Sequence, residues 1–279
     1  MPKNNSSVCV RNPIEQDLIG GFLIKRELRR LKKLPRYEPF STNVFGPVVK
    51  GVDGRSFYYS FREIFRDHIY EFRAKTASPR ILDVGSNVGL SLLFFKHKYP
   101  NCKLTGFEPD PTVFQTAQDN LDALGLTDVE LIQKAAWIEA TTLSFEPEGA
   151  DAGHLTPSES ATGDSFSVDA IDLRSFLNEP IDFLKMDIEG AEVDVLMHCG
   201  NELSNVSNLF VEYHSYADQR QRFNDLTGIL TEAGFRYQIH TQFASQSPLC
   251  LQELQLGMDL QLNVFAYREQ MPKIASAPS

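Results

Sequence analysis

Nowhere in its 279 residues does the chain hold an apolar run near the roughly 18 residues that a membrane-spanning helix needs. Cysteine is sparse. The four, Cys9, Cys102, Cys199 and Cys250, are scattered with no C-x-x-C spacing, so neither a redox motif nor a dense disulfide framework is on offer. The thiols therefore read as reduced and the protein as cytoplasmic. The opening stretch MPKNNSSVCVRNP has no apolar segment suited to secretion. Basic residues are outnumbered 27 to 37, and the resulting net charge of −10 argues against nucleic acid as the main ligand. What remains, 42% hydrophobic and 23% charged, is the composition of a folded globular protein.

The length suits one large domain with an extension. Residues 1–13 read as a disordered N-terminus and 14–79 as an extension of helices and short strands. Residues 80–270 read as the main domain and 271–279 as a flexible C-terminus. Within the extension, residues 14–34 read as a helix stopping at Leu34-Pro35. It carries a basic stretch from Lys25 to Arg36 that suits either a solvated face or a docking surface for an acidic carrier or anionic substrate. Phe45–Val49 and Ser56–Tyr59 read as short strands around an Asp53-Gly54 turn, and Arg62–Arg73 as a helix.

From Arg80 the pattern alternates strand and helix. Strands are expected at Ile81–Val84, Lys103–Phe107, Val129–Ile132, Asp182–Met186, Leu209–Tyr213, Phe235–His240 and Leu262–Tyr267. Short β pieces are expected at Thr142–Phe145 and Ser165–Val168. Asp172 is placed to cap a helix from Leu173, and Asp218–Ala233 reads as a helix. Such alternation builds an open, mostly parallel sheet with helices on both faces, and ligands bind at the carboxyl ends of its strands. The polar segment from Glu146 to Phe166 reads as an irregular loop, either disordered or a lid.

The richest stretch is ILDVGSNVGLSLLFF, Ile81 to Phe95: a buried strand, a glycine turn and a helix start. The turn is Gly85-Ser86-Asn87-Val88-Gly89, preceded by Asp83. Glu108 follows Gly85 by 23 residues, at the end of a second apolar run. A glycine loop at a helix start with an acid about 20 residues on is the logic of an adenosine-cofactor site. The glycines admit the ligand to the backbone and the acid takes ribose hydroxyls. The spacing is G-x-N-x-G, which departs from the G-x-G-x-x-G of dinucleotide binders. Two further strand ends carry chemistry. Asp187, Glu189 and Glu192 cluster where one strand meets a helix, and Glu212 and His214 end another. Histidine is the side chain best suited to accept a proton near neutral pH.

The set ILDVGSNVGLS, FEPDP, KAAW, IDFLKMDIEGAE and LFVEYHS, in this order, resembles the FkbM family of S-adenosylmethionine-dependent methyltransferases. The similarity runs from about Phe57 to Ile239. It implies a class I methyltransferase (Rossmann-like) fold: an α/β, seven-stranded, mostly parallel sheet with helices on both faces and an antiparallel seventh strand beside the fifth. It also implies methyl transfer to a hydroxyl of a small molecule or glycan, such as a sugar, polyketide or other secondary metabolite. In that frame Gly85, Asn87 and Gly89 border the methionine part of the cofactor. Asp83 holds its ammonium, directly or through water, and Glu108 takes the ribose. Ala135, Ala136 and Trp137 lie against the adenine, and Asp187 faces the cofactor as well. His214 is the expected general base, with Asp187 or Glu212 as alternatives or orienting partners. No metal is assigned. Mg²⁺ is not expected, although hard oxygen ligands at Asp187 and Glu212 would suit it.

Other readings stay open at this level: an NAD-dependent oxidoreductase, a non-catalytic cofactor-binding subunit of a biosynthetic complex, and transfer to nitrogen. The first is disfavoured by the glycine spacing and the second by Asp187 and His214. The third is disfavoured by Asp187-Ile188-Glu189-Gly190 standing where amino-methylating enzymes carry Asn/Asp-Pro-Pro-Tyr.

Overall fold

The computed structural model describes residues 21–147, 153–156 and 165–268. The expected disordered and flexible ends, 1–13 and 271–279, lie outside these residues, as does the first part of the 14–34 helix. What is described of that helix is α1 (Phe22–Leu31), which buries Leu31 and presents Arg29 and Arg30 in its last turn.

The extension differs from the sequence expectation. Its strands are β1 (Phe40–Thr42) and β2 (Val49–Gly51), paired antiparallel. Ser56–Tyr59 is not a strand but part of helix α2 (Gly54–Phe61), which runs on as a π-turn through Arg62–Arg66 and stops there, short of Arg73. The cause is Asp53. Its buried carboxylate accepts the Ser56 N–H at 2.7 Å, the bond of an N-cap rather than of a hairpin turn. The same group accepts the Tyr37 N–H at 2.7 Å and Arg36 Nε at 2.9 Å, holding α2 against the preceding loop. Phe57, Phe61, Ile64 and Phe65 then fall on one face and are all buried. Burying each such side chain is worth about 1.5–3 kcal/mol, which overrides the β preference of Phe-Tyr-Tyr.

The main sheet follows the expected alternation. Its members are β3 (Arg80–Val84), α3 (Leu90–Lys98), β4 (Lys103–Phe107), α4 (Pro111–Ala123) and β5 (Val129–Ile132). A small second sheet follows, of β6 (Ala135–Trp137), β7 (Thr142–Pro147), β8 (Gly153–Thr156) and β9 (Phe166–Asp172). β8 is a correction, because the 146–166 stretch holds a strand antiparallel to β7 and is not wholly irregular. Residues 148–152 and 157–164 of that stretch lie outside the described residues. Asp172 caps a short 3₁₀ helix, Leu173–Phe176, through the Arg174 N–H. Then come β10 (Phe183–Met186), α5 (Glu192–Cys199), β11 (Asn208–Tyr216), α6 (Phe223–Glu232), β12 (Arg236–Ala244) and β13 (Met258–Tyr267). The expected helix over Asp218–Ala233 begins later, at Phe223.

Strand order is β12-β13-β11-β10-β3-β4-β5. β10, β11, β3, β4 and β5 pair in parallel, and β13 lies antiparallel between β11 and β12. This is the class I methyltransferase topology. The chain order reverses at β3, which has β4 on one side and β10 on the other, so the ligand crevice falls at the tips of these strands.

Period-two alternation gives the sheet two different faces. Leu82, Val84, Leu184, Met186, Leu209, Val211 and Tyr213 pack with α5 and α6. Ile81, Phe183 and Phe210 pack on the other side with α3 and the extension. On that second face the residues nearer the strand tips are Asp83, Lys185, Glu212 and His214. Thus the same alternation that builds the core delivers polar groups to the crevice. Cys102 and Cys199 are free and buried, and burial pushes their thiols up to about 11 and about 12, where they are inert. No helix among the described residues is long and apolar enough to cross a membrane.

Removing the Asp53 cap, Asp53→Ala, is expected to cost about 2–4 kcal/mol, since three bonds to one buried carboxylate are lost. Urea denaturation checks this, and a loss below about 1 kcal/mol would mean that the ring cluster alone sets the helix.

Candidate active site

The loop after β3 is shaped by contacts that admit few residue types. Gly85 has φ +84°, and a Cβ there would sit 1.8 Å from the Asp187 carbonyl oxygen, so no side chain fits. The Gly85 and Ser86 N–H groups both donate to the Phe107 carbonyl, at 3.0 and 2.8 Å. Asn87 sits at φ 49° and Gly89 at φ 89°, two left-handed residues that turn the chain into α3.

Glu108, just past β4, is buried. Its Oε2 accepts the Asn87 N–H at 2.9 Å and its Oε1 the Asp110 N–H at 3.0 Å. The predicted loop and the predicted acid are thus joined directly. Burial pushes the Glu108 carboxyl up to about 8 despite these two bonds.

Asp83 is fully buried. Its Oδ2 accepts from Ser91 Oγ at 2.5 Å, while Oδ1 lies 3.3 Å from Lys185 Nζ, an ion pair outside good hydrogen-bond geometry. Burial raises its carboxyl against the pull of Lys185. Its Oδ2 is therefore engaged by Ser91, while Oδ1 faces the Lys185 ammonium without a hydrogen bond. Ala135, Ala136 and Trp137 lie past the end of β5, but as strand β6, paired with β9. Ala135 packs with Leu143 and Val168, Ala136 in the main core, and Trp137 half-buried against both.

A cleft of about 510 Å³, open to solvent, lies between the glycine loop and the extension. Gly85, Asn87, Lys185 and Asp187 line one side, and Phe57, Ile64 and Tyr70 the other. Burial pushes the Tyr70 phenol well above its ordinary range, with nearby Asp187 and Glu212 adding to the effect, so at neutral pH it is a neutral hydroxyl. Sequence reading did not single out Lys185 or Tyr70. A signal for Lys185 existed: one charge inside the otherwise apolar strand FLKM. Its Nζ donates to the Gly85 carbonyl at 2.6 Å and lies 3.5 Å from Asp187 Oδ2. Although burial opposes its charge, Asp83 and Asp187 raise its pKa.

Beside the cleft stands the acid–histidine group. Glu192, wholly buried, accepts the Ile188 and Gly190 N–H groups and binds His214 Nδ1 at 2.9 Å. His214 Nε2 lies 3.4 Å from Glu189 Oε2 and 3.4 Å from Gln261 Nε2. Glu212 Oε1 accepts from Gln261 Nε2 at 2.5 Å. Although burial opposes its charge, Glu189 and Glu192 hold His214 well above its ordinary pKa. Burial, with Asp187 close by, raises the Glu212 carboxyl. His214 does not line the cleft, whereas Asp187 does. Asp187, Glu189 and His214 each bring one ligand atom within 4.8 Å of the others, a spacing that one divalent cation can bridge. Glu212, half of the pair considered from sequence, is not in that group.

A parallel sheet with this strand order, a glycine loop at its switch point and an acid ending the next strand define a methyltransferase of the class I architecture. The family profile described as Methyltransferase FkbM domain matches residues 83–237, and the chain belongs to that family. It is similar to Methyltransferase 1 of Beauveria bassiana, 28% identical over 199 residues, covering 62% of this chain and 79% of that one. It is also similar to methyltransferase sdnD of Sordaria araneosa, 30% identical over 193 residues, covering 55% and 73%. A third relative is the hexuronic acid methyltransferase AglP of Haloferax volcanii, 29% identical over 199 residues, covering 66% and 79%.

Proposed function

We propose that this protein is an S-adenosylmethionine-dependent O-methyltransferase acting on a hydroxyl of a small molecule or glycan. One observation carries the reading. The glycine loop and Asp187 touch through the Gly85–Asp187 backbone contact and line the same cleft, so a cofactor cradle and a proton-accepting carboxylate share one wall. The loop fits an adenosine cofactor because no side chain can stand at Gly85 and because Glu108 presents a carboxylate beside it. The acceptor class is supported by a relative named for a hexuronic acid, and by Asp187-Ile188-Glu189-Gly190 in place of an amino-methylation signature.

When bound, the cofactor supplies a methyl group on a sulfonium, already a good leaving group. The protein's task is then mainly alignment and proton removal. Glu108 would take the ribose hydroxyls with the lone pairs left beside its two backbone donors, and Gly85, Asn87 and Gly89 would bring backbone to the ligand. Phe57, Ile64 and Tyr70 close the opposite wall against water. Asp187 accepts the acceptor's proton. This revises the expectation for His214, whose role becomes holding Glu189 and the 188–190 turn, because its two ring nitrogens face Glu192 and Glu189 and it does not line the cleft. Asp83, wholly buried and absent from the cleft lining, supports the loop from behind instead of meeting the cofactor's ammonium.

A second reading adds a divalent cation at Asp187, Glu189 and His214, favoured by the 4.8 Å spread of their ligand atoms. It would polarise the acceptor oxygen and lower its pKa. Turnover lost on EDTA dialysis and restored by Mg²⁺ or Mn²⁺ would establish it; turnover indifferent to chelation would remove it.

Cofactor binding is tested by calorimetric titration with S-adenosylhomocysteine. Hydroxyl donors favour the ionised carboxylate, and burial holds Glu108 near 8 before binding. Binding therefore releases a proton, and affinity is expected to rise from about pH 6 to about pH 8 and then level off. Glu108→Ala should weaken binding sharply and abolish that slope. A folded wild-type protein that binds no S-adenosylhomocysteine would end the methyltransferase reading. For the base, Asp187→Asn is expected to lower kcat about 10²–10⁴-fold, whereas His214→Gln lowers it less than about tenfold. The reverse ranking would return the base role to His214.

A further inference from the structure

We infer that Lys185 is a positioning residue that ties the cofactor loop to the catalytic-side carboxylate, so that the two are set as one unit. The inference rests on the proposed cofactor site and extends it to a residue with no role so far.

Lys185 stands in the middle of β10, directly across from Asp83 of β3 in the parallel register. Its side chain is 3% exposed. A buried ammonium persists only where several acceptors surround it. Here there are three, on three different parts of the site. The Gly85 carbonyl oxygen, at 2.6 Å, belongs to the cofactor loop. Asp83 Oδ1, at 3.3 Å, belongs to the strand beneath that loop. Asp187 Oδ2, at 3.5 Å, is the carboxylate at the cleft. The ammonium also lies 5.8 Å from the centre of the Tyr70 ring, on the wall supplied by the extension. A β-strand Lys has no reason to point inward for stability, since an apolar residue of similar volume would serve the core at least as well. What it alone provides is a positive centre that fixes the direction of the Gly85 carbonyl and the rotamer of Asp187 at once.

On the proposed reading Glu108 would hold the ribose at the β4 tip, and the amino-acid end of the cofactor would then lie on the other side of β3, toward β10, where Lys185 stands. Loss of the clamp should therefore affect the amino-acid end and spare the nucleoside end. The test uses the whole protein and two probes, S-adenosylhomocysteine and adenosine, titrated calorimetrically. Lys185→Met is expected to weaken S-adenosylhomocysteine binding by about tenfold to a hundredfold, the loss typical of one charge-assisted bond. Adenosine affinity should change by less than about twofold. Lys185→Arg, which keeps charge and reach, should recover affinity to within about threefold of wild type. Because Lys185→Met risks misfolding, hydrogen exchange on the wild-type protein supplies an independent reading. Residues 85–91 and 187–190 should gain protection together when S-adenosylhomocysteine binds.

Equal losses for both probes would show a merely structural residue and overturn the clamp. So would unchanged S-adenosylhomocysteine affinity in Lys185→Met, or protection confined to residues 85–91. Wild-type protein that fails to bind S-adenosylhomocysteine would overturn the cofactor site and the clamp with it, whereas wild-type binding with an indifferent Lys185→Met removes the clamp alone.

Discussion

The site depends on how closely the tips of β3 and β10 approach one another. Asp187 donates its N–H to the Val84 carbonyl at 3.1 Å, and the Asp187 carbonyl then occupies the space that a Cβ of Gly85 would need. With any other residue at 85 the two tips must separate by more than an ångström. The loop would then move off the Phe107 carbonyl that receives its Gly85 and Ser86 N–H groups. β4, Glu108 and the turn into α3 are positioned from that point. The parallel pairing of β3 with both β4 and β10 makes this the place where the sheet's connections diverge, so a cleft forms there without a special device.

Putting chemistry at that point has an energetic cost. On the face toward the extension, Asp83, Lys185, Glu212 and His214 bring ionisable groups into a region otherwise lined by phenylalanine and leucine. Each is offset by a partner: Ser91 and Lys185 for Asp83, three acceptors for Lys185, Gln261 for Glu212, and Glu192 for His214. Such networks seldom stabilise more than apolar packing of the same volume would. Stability is supplied elsewhere, by the α5 and α6 face and by rings packed between the extension and the sheet, where Phe61 stacks on Phe65, Phe65 meets Phe94 edge to face and Tyr70 meets Phe210 edge to face. The polar face is then free to be shaped by what it must hold.

The difference between what the sequence disclosed and what it concealed follows from the range of the interactions involved. β3, β4, β5, β10 and β11, the glycine loop and Glu108 were legible because their signals are local: apolar runs four or five residues long, a left-handed turn, an acid at a strand end. The extension was misread because its determinant is a single Asp53 bonded to Ser56, Tyr37 and Arg36, two of them far along the chain, while Phe57-Tyr58-Tyr59 locally favours a strand. Strand β8 was hidden in a polar segment whose pairing with β7 leaves no apolar alternation to read. His214 was found from its type and its place at a strand end. Its upward pKa shift against the cost of burial could not be read, because it comes from Glu189 and Glu192, which approach it only through the fold. Lys185 was visible as a charge inside FLKM, but its three acceptors come from β3, the glycine loop and the turn after β10.

The division of the cleft between two parts of the chain bears on the proposed acceptor chemistry. One wall is the glycine loop with Lys185 and Asp187, inside the stretch 83–237 that matches the family profile. The facing wall, Phe57, Ile64 and Tyr70, lies before that stretch and is held by its own ring cluster and the Asp53 cap. A side chain on the second wall can change size or polarity without disturbing the Gly85–Asp187 contact, because no backbone hydrogen bond of the loop runs to it. The machinery for a cofactor is thus mechanically separate from the surface that would select an acceptor. On the proposed reading the choice of acceptor would belong to residues 51–70 more than to the strands beside the cleft.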